Sequence, residues 1–574
     1  MPLKLLEVLV VALYLTSFSL GQGRWHTTAT YKNTNASIAA DPYVRWDGQT
    51  KQYWAYSTEG ADDGWHFGIY RSPDLGIWTK LTGGAIKADS SSKIWADDWF
   101  WAPECYYNKQ TGWYFLFYAG KMNNGTDIAA HFKYPDFEEA SKVGVAVSRS
   151  PGGPFINIER QPIDYYPFDP EYNDVNLIMS PPYLVPPKTP EEGQSAPKGT
   201  YIPFIDPNVF FDYDDSGGLN GIYLFFSRNC YRNWIWDDKY AKYVEESNIY
   251  VVKLDEEWWW DPEARTLPRV HQEFRDLNDG KAEGWVKDVN TSFSGPERKD
   301  GWVSIISRSL QPQIWEDAHV FDYSSSNGKK KDRRWSEGST TFKRLDSSGQ
   351  PIYFLMYSSN NYESVDYGVG YAYSTVVTGP YTKSDSNPIL SQDASRSLYS
   401  TGHGSIVSVK GNDHSNEFYY TYHARSSPDD PRTLYNARLF IEPEELYVGF
   451  GSNWGDIRVP SGVAPLNVEV SPNGTLYRVE VTSVDGAVFN LRHPGNRIKV
   501  LVGEVEVEAQ MDANGLVNVN LTEAKANMGV ETAAVTFRYQ RARQNATEGW
   551  MDVKQFQGVR RASDADYVET IVNL

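Results

Sequence analysis

Between about residues 38 and 450 one hydrophobic pattern recurs five times. Each repeat opens on a polar residue and a short apolar strand, turns, runs through a strongly aromatic strand, and ends on a Gly- or Ala-containing third strand. The first reads DPYVRWDGQTKQYWAYST and then FGIYRSPDLGIW; the second APECYYNKQTGWYFLFYA and VGVAVSRSPGGPF. The third reads DPNVFFDYDDSGGLNGIYLFFSR and NIYVVKL; the fourth EGSTTFKRLDSSGQPIYFLMYSS and YGVGYAYSTVVTGPY; the fifth GHGSIVSVKGNDHSNEFYYTYHAR and YNARLFIEP. The second strands (YWAYS, YFLFYA, YLFFSR, YFLMYSS, FYYTYHA) are apolar at nearly every position, as expected of a strand covered on both faces. The turns are rich in Gly, Asp, Asn and Ser, which tight hairpins require. One such unit cannot bury both faces alone, so the pattern predicts an all-β fold: a five-bladed β-propeller.

Residues 456–574 change character. LYRVEVTS, IKVLVGEVEVEAQM, VNVNL and AAVTFRYQ alternate apolar with polar, the pattern of strands with one wet face, and predict a separate C-terminal β-sandwich. The predicted organisation is a signal peptide at 1–21, a propeller at 22–455 and the sandwich at 456–574. Two stretches break the repeat. Residues 160–200 are Pro-rich and read as an irregular loop; residues 231–330, with EEWWWDPEARTLP and GWVSIIS, read as a large insertion at the propeller's rim.

Composition narrows the functional class. With 55 basic and 74 acidic side chains the net charge is −19, which disfavours nucleic acid and anionic membrane surfaces as partners. Aromatics make up 15% of the chain, suiting the flat apolar faces of sugars. Lys4 precedes an apolar stretch from Leu5 to Leu20, and Ser19 and Gly21 supply small residues for cleavage, so the N-terminus reads as a secretory signal, imperfect at Glu7. No later run is long and apolar enough to span a bilayer. Six glycosylation sequons, at Asn35, Asn124, Asn290, Asn473, Asn520 and Asn545, fit export and an extracellular protein. Cys105 and Cys230, the only cysteines, leave one disulfide open and exclude a cysteine-based zinc site.

In a propeller the first strand of every blade lines the axis, so its opening residues meet at one mouth. Aligning the repeats brings Asp41, Glu104, Asp206, Glu337 and His403 there. Each has an ordinary alternative. Asp-Pro is a common turn dipeptide, Glu337 could pair with the preceding KKKDRRW, and His403 could be a packed core histidine. Together they matter more. Crowded carboxylates cost energy unless one is protonated, and carboxylates of differing acidity are what glycosidic hydrolysis needs.

The ordered series ADPYV, WAPE, DPNVFFD, SEGST, YGVGYAYS and GHGS resembles glycoside hydrolase family 43 over about residues 38–450. The resemblance implies an inverting hydrolase of arabinofuranosyl or xylosyl linkages in plant cell walls. It implies Asp41 as general base, Glu337 as general acid and Asp206 as the carboxylate that raises and orients the acid. It also places His403 near an axial metal, often calcium, and Arg438 in NARLFIEP on the substrate sugar. Trp101 and Glu104 are further substrate-binding candidates. An inverting pair should stand about 6.5–9.5 Å apart to admit water. Two departures concern substrate rather than mechanism: EGS replaces the more usual EGP, and 131 residues separate Asp206 from Glu337.

The leading expectation is a monomeric, exo-acting α-L-arabinofuranosidase on arabinan or arabinoxylan, with β-xylosidase next and endo-arabinanase after it. The 231–330 insertion would close the cleft into a pocket, and Trp258–Trp260 either adds a subsite or packs the insertion. A non-catalytic carbohydrate-binding propeller would keep aromatic rings at the mouth without a complete carboxylate set. A retaining enzyme akin to the fructan hydrolases would give the opposite product anomer. The sandwich is expected to brace the propeller.

Overall fold

The computed structural model describes, with short gaps, residues 38–126, 141–163, 204–271 and 303–448, together with the strand Thr30–Lys32 and the strands between 465 and 573. The N-terminal segment read as a signal, most of the Pro-rich loop, Cys230 and the sequons at Asn35, Asn290 and Asn545 lie outside the described residues.

The described residues are all-β, with only one-turn helices between their strands. Each repeat forms one antiparallel sheet whose first strands are, in order, Tyr43–Asp47, Asp98–Asn108, Ile205–Tyr213, Arg333–Leu345 and Tyr399–Ser408. Their second strands are Gln52–Ser57, Trp113–Lys121, Leu219–Arg228, Pro351–Ser359 and Phe418–Arg425. The N-terminal strand Thr30–Lys32 pairs with the third strand of the fifth sheet, Thr433–Ile441, so the two ends of the repeat region are sewn into one sheet.

The second strands are apolar throughout because both faces are covered. Tyr53 and Ala55 pack with Tyr419 and Leu434 of the fifth sheet, whereas Trp54 and Tyr56 pack with Tyr114, Leu116 and Tyr118 of the second. Phe115 and Phe117 meet Leu224 and Phe226 of the third sheet. Phe225 meets Leu355 and Tyr357 of the fourth, and Phe354 and Met356 meet Tyr420 and Tyr422 of the fifth. Five apolar interfaces thus join five consecutive sheets, the fifth returning to the first. At roughly 1.5–3 kcal/mol per fully buried large side chain, these interfaces dominate the cohesion of the fold.

The insertion welds the third and fourth sheets. Strand Lys242–Leu254 continues beyond its own sheet, takes Trp234–Asp237 and Val303–Ile306 as partners, and pairs in parallel with the fourth sheet through Glu245↔Arg333, Glu246↔Arg334 and Ser247↔Trp335. Arg334, almost fully buried, bonds Asp237, Glu246 and Asp317, each at 2.7 Å. Lys331 pairs with Glu245 and Lys242 with Asp332. Lys331 and Arg334 of KKKDRRW are therefore engaged by the insertion and not by Glu337. Trp258 and Trp259 are buried against Phe115, Phe117 and Phe211, so these rings pack the insertion and add no subsite. Only Trp260 is exposed.

In the C-terminal region, Pro465–Asn473, Leu476–Ser483, Val517–Val519 and Ala509–Met511 form one sheet. Val505–Val507, Asn496–Val502, Ala534–Arg541 and Tyr567–Asn573 form a second. The two touch through Pro465–Asn473 and Tyr567–Asn573.

Candidate active site

The first strands of sheets two to five are interrupted near their starts, and the interruption places the chemistry. In sheets two to five the ladder pairs Trp101↔Ala119, Ile205↔Ser227, Glu337↔Ser358 and Gly402↔His423, then skips to Glu104↔Phe117, Asn208↔Phe225, Thr340↔Met356 and Ser405↔Thr421. Three residues advance against two, which is a β-bulge. The first bulge residue has positive φ: Ala102 47°, Asp206 53°, Gly338 59°, His403 37°, and Asp41 50° in the first sheet. Among non-glycine residues Asp and His tolerate this region comparatively well, which suits them to three of the five positions.

The bulges correct the alignment of the repeats. Asp41, Asp206 and His403 are equivalent, but Glu337 sits one residue before its bulge glycine and Glu104 two residues past the bulge. Gly338 is needed as well as tolerated, since a Cβ there would lie 2.6 Å from the His403 ring. The bulge amides are bonded by the preceding sheet. Ala102 N–H donates to Thr58 Oγ1 (2.8 Å), Gly338 N–H to Ser227 Oγ (3.2 Å) and Asp206 Oδ2 (3.1 Å), His403 N–H to Ser358 Oγ (2.7 Å), and Asp41 N–H to His423 Nδ1 (3.1 Å).

Asp41, Asp206, Glu337 and His403 line one cavity of about 340 Å³, together with Trp99, Trp101 and Arg432. Burial alone would raise the Asp41 carboxyl, but Arg432 (Nη1 to Oδ1, 3.3 Å) and His403 (Nδ1 to Oδ1, 3.2 Å) hold it well below the usual carboxylate range. Thr58 Oγ1 donates to its other oxygen at 2.7 Å. Glu337 goes the other way: burial first, then the Asp206 charge, pushes its carboxyl up, against the pull of His403 and a hydrogen bond from Tyr367. Asp206 is also raised, chiefly by burial, and takes hydrogen bonds from Ser227 Oγ and Gly338 N–H. One carboxylate is thus kept ionised and another kept protonated in the same cavity.

The two histidines differ. Burial disfavours the charged form of His403, yet Asp41 and Asp206 outweigh it and push the ring up to about 9, so it is an imidazolium. His423 is fully buried and pushed down to about 4. Its Nδ1 stands 3.4 Å from Asp41 Oδ1, but that nitrogen accepts the Asp41 N–H, so this approach is not an ion pair.

Trp101 lines the cavity and stacks on Trp99, with centroids 4.8 Å apart and planes at 12°; Lys121 caps the Trp99 ring at 3.7 Å. Glu104 does not line it. Burial raises its carboxyl to about 8, and it is hydrogen-bonded to Tyr106 and Asn208 inside the ring of sheets, behind the residues that line the cavity. Arg438 is likewise displaced. It pairs with Tyr419 near the far end of its hairpin, about 20 Å along the strand from Arg432. Arg432 is the guanidinium that reaches the site; it also bonds Glu59 at 2.7 Å and lies over Tyr362. Sequence reasoning passed over Thr58, Ser227, Tyr367 and His423.

Calcium prefers six to eight oxygen ligands. His403 is protonated and directed at Asp41, and among the described residues no group of three or more His, Cys, Asp or Glu is placed to hold an ion. Calcium therefore enters no step of the chemistry below. Cys105 is a buried free thiol, and Cys230, its only possible intrachain partner, lies outside the described residues. A larger cavity of about 500 Å³, lined by Glu159, Asp255, Trp258, Arg265 and Arg269, contains none of the site carboxylates.

Residues 307–446 match the family model for glycosyl hydrolases family 43. The chain carries a family 43 segment. That segment includes Glu337, Tyr367, His403 and Arg432; Asp41 and Asp206 lie before it and join its residues through the fold. Similar solved structures include a thermostable family-43 glycoside hydrolase, 23% identical over 74% of this chain and 96% of its own, TM-score 0.47. An endo-1,4-beta-xylanase from Bacteroides thetaiotaomicron is 24% identical over 73% and 97%, TM-score 0.45. An alpha-L-arabinofuranosidase from Lactobacillus brevis is 15% identical over 73% and 96%, TM-score 0.42. No curated protein matches the sequence.

Proposed function

We propose that the protein is a secreted, inverting glycoside hydrolase of plant cell-wall polysaccharide, with an α-L-arabinofuranosidase activity on arabinan or arabinoxylan as its leading form. The observation that carries this reading is the opposite bias of two carboxyls in one cavity: Asp41 held ionised, Glu337 held protonated. In this scheme Asp41 takes a proton from water as the water attacks the anomeric carbon. Glu337 gives its proton to the leaving glycosidic oxygen as the C–O bond breaks. Asp206 keeps Glu337 protonated until that moment, since a nearby anion disfavours its ionisation. Arg432 and His403 keep Asp41 ionised, and Trp101 with Trp99 offers a flat face to a sugar ring.

We read the cycle of five sheets as a five-bladed propeller over residues 22–455, and the two C-terminal sheets as an accessory sandwich. A pocket is favoured over an open groove because Arg333 and Trp335, held by the welded insertion, line the cavity along with Trp99 and Trp101. This supports exo action. β-Xylosidase is the second form of the same reading, since the cavity's charges do not select between pentoses. A non-catalytic lectin would have no use for carboxyls biased in opposite directions.

The test is sugar release from aryl α-L-arabinofuranoside, aryl β-xyloside, arabinan and arabinoxylan, with the products identified. Turnover of the first is expected. Absence of turnover on all four would leave the lectin as the better account.

A further inference from the structure

The acid-side carboxyl is gripped by a side chain that the scheme above does not use. Tyr367, immediately before strand Gly368–Ser374, is fully buried and stacks on His423, with centroids 5.7 Å apart and planes at 9°. Its ring occupies the space a side chain at position 402 would need, since a Cβ on Gly402 would overlap it. Its hydroxyl stands 2.9 Å from Glu337 Oε1.

The direction of that hydrogen bond can be read from its neighbours. The His403 backbone N–H can only donate, and it donates to Ser358 Oγ at 2.7 Å. That leaves the Ser358 hydroxyl proton for another acceptor, and the Tyr367 phenol, raised by burial, is pulled back down by Ser358, as a donor facing its oxygen would do. The Tyr367 proton therefore points at Glu337 Oε1. Three donors run in one sense, from backbone amide to serine to tyrosine to carboxyl. Charge-assisted hydrogen bonds are about twice as strong as neutral ones, so the last link strengthens as Glu337 ionises.

We propose that Ser358 and Tyr367 are positioning residues that tie down Oε1 of Glu337 and leave Oε2 to carry the proton delivered to the leaving oxygen. The inference rests on the acid role of Glu337 proposed above. During the step the Oε2–H bond breaks, the proton forms a bond with the glycosidic oxygen, and the C–O electron pair leaves with that oxygen. The negative charge left on Glu337 is met at Oε1 by the tyrosine O–H. Asp206, His403, Asp41, Tyr362 and Tyr367 act on Glu337, Arg333, Glu363 and Arg432 line the same cavity, and only Tyr367 bonds Glu337 directly among the described residues.

The test compares Tyr367→Phe with wild type on phenyl and dinitrophenyl glycosides of whichever pentose the wild type releases. Dinitrophenolate leaves without help from an acid. Loss of acid positioning is expected to lower kcat about tenfold or more on the phenyl glycoside and less than about threefold on the dinitrophenyl one. The alkaline limb of kcat/KM should move to higher pH, because a hydrogen bond to the ionised carboxylate has been removed. Phenylalanine keeps the ring on His423, and Ser358→Ala should repeat the pattern with smaller losses. Equal losses on both glycosides, or none, overturn the proposal. A wild-type protein that hydrolyses neither glycoside, nor arabinan nor arabinoxylan, removes the hydrolase reading itself.

Discussion

At the scale of single residues, burial decides what each carboxyl does. Glu337→Gln keeps the shape and the tyrosine bond but has no proton to give, so kcat on a phenyl glycoside should fall by about 10²–10⁴ and the alkaline limb should vanish. In the wild type, Asp41 is depressed and Glu337 raised. The bell of kcat/KM should therefore rise at a pH below the ordinary carboxylate range and fall above it. Glu104 offers a test free of catalysis. Its folded carboxyl titrates at about 8, whereas an unfolded one titrates near an ordinary value of about 4.3. Folding therefore takes up a proton between those values, and stability falls as pH rises through that window. Glu104→Gln removes the linkage, so thermal melts should show a flatter decline from pH 5 to pH 8. An unchanged slope would mean that Glu104 is ionised in the fold.

Residue by residue, legibility followed the backbone. Asp41, Asp206, Glu337 and His403 were readable because repeats with a common strand pattern put their openings together. Glu104 was misplaced because the repeats were matched on charge, whereas the fold matches them on bulges. The signal was present: Pro follows Asp41, Ala102 and Asp206 alike, which aligns Ala102 and not Glu104 with the aspartates. The guanidinium at the site belongs to Arg432 and not to Arg438, because the sequence does not say which end of the strand faces the cavity. Thr58 and His423 act through bonds between successive sheets, which no single repeat reveals, and Tyr367 bonds Glu337 across its own sheet, which no single strand reveals.

At the scale of elements, the continuous apolar run of each second strand was legible because two neighbouring sheets cover it. The weld between the third and fourth sheets was not, since parallel pairing across an insertion leaves no periodic trace. Arg334 is central to it. Arg334→Ala takes the guanidinium away from three carboxylates, two of them almost fully buried, and should cost about 3–5 kcal/mol in denaturant unfolding. Trp258→Ala should cost a similar amount, about 3–5 kcal/mol, through its cavity. KM of the folded fraction should not change; a raised KM with unchanged stability would restore the subsite that packing denies.

At the scale of the whole molecule, five interfaces close a cycle and carry the carboxylates of separate sheets to one cavity. Thr30–Lys32 adds a strand to the fifth sheet, reinforcing the closure that the apolar interface with the first sheet makes. Removal of residues 1–21 should leave the melting temperature unchanged, and removal through Lys32 should lower it. The catalytic account also fixes the stereochemistry of the product. A base that activates water and an acid on the opposite side of the bond allow one displacement and no covalent intermediate. Proton NMR of the first sugar released from an aryl α-L-arabinofuranoside, before mutarotation, tests this most directly. The account predicts the β-anomer; an α-anomer would make Asp41 a nucleophile and contradict it.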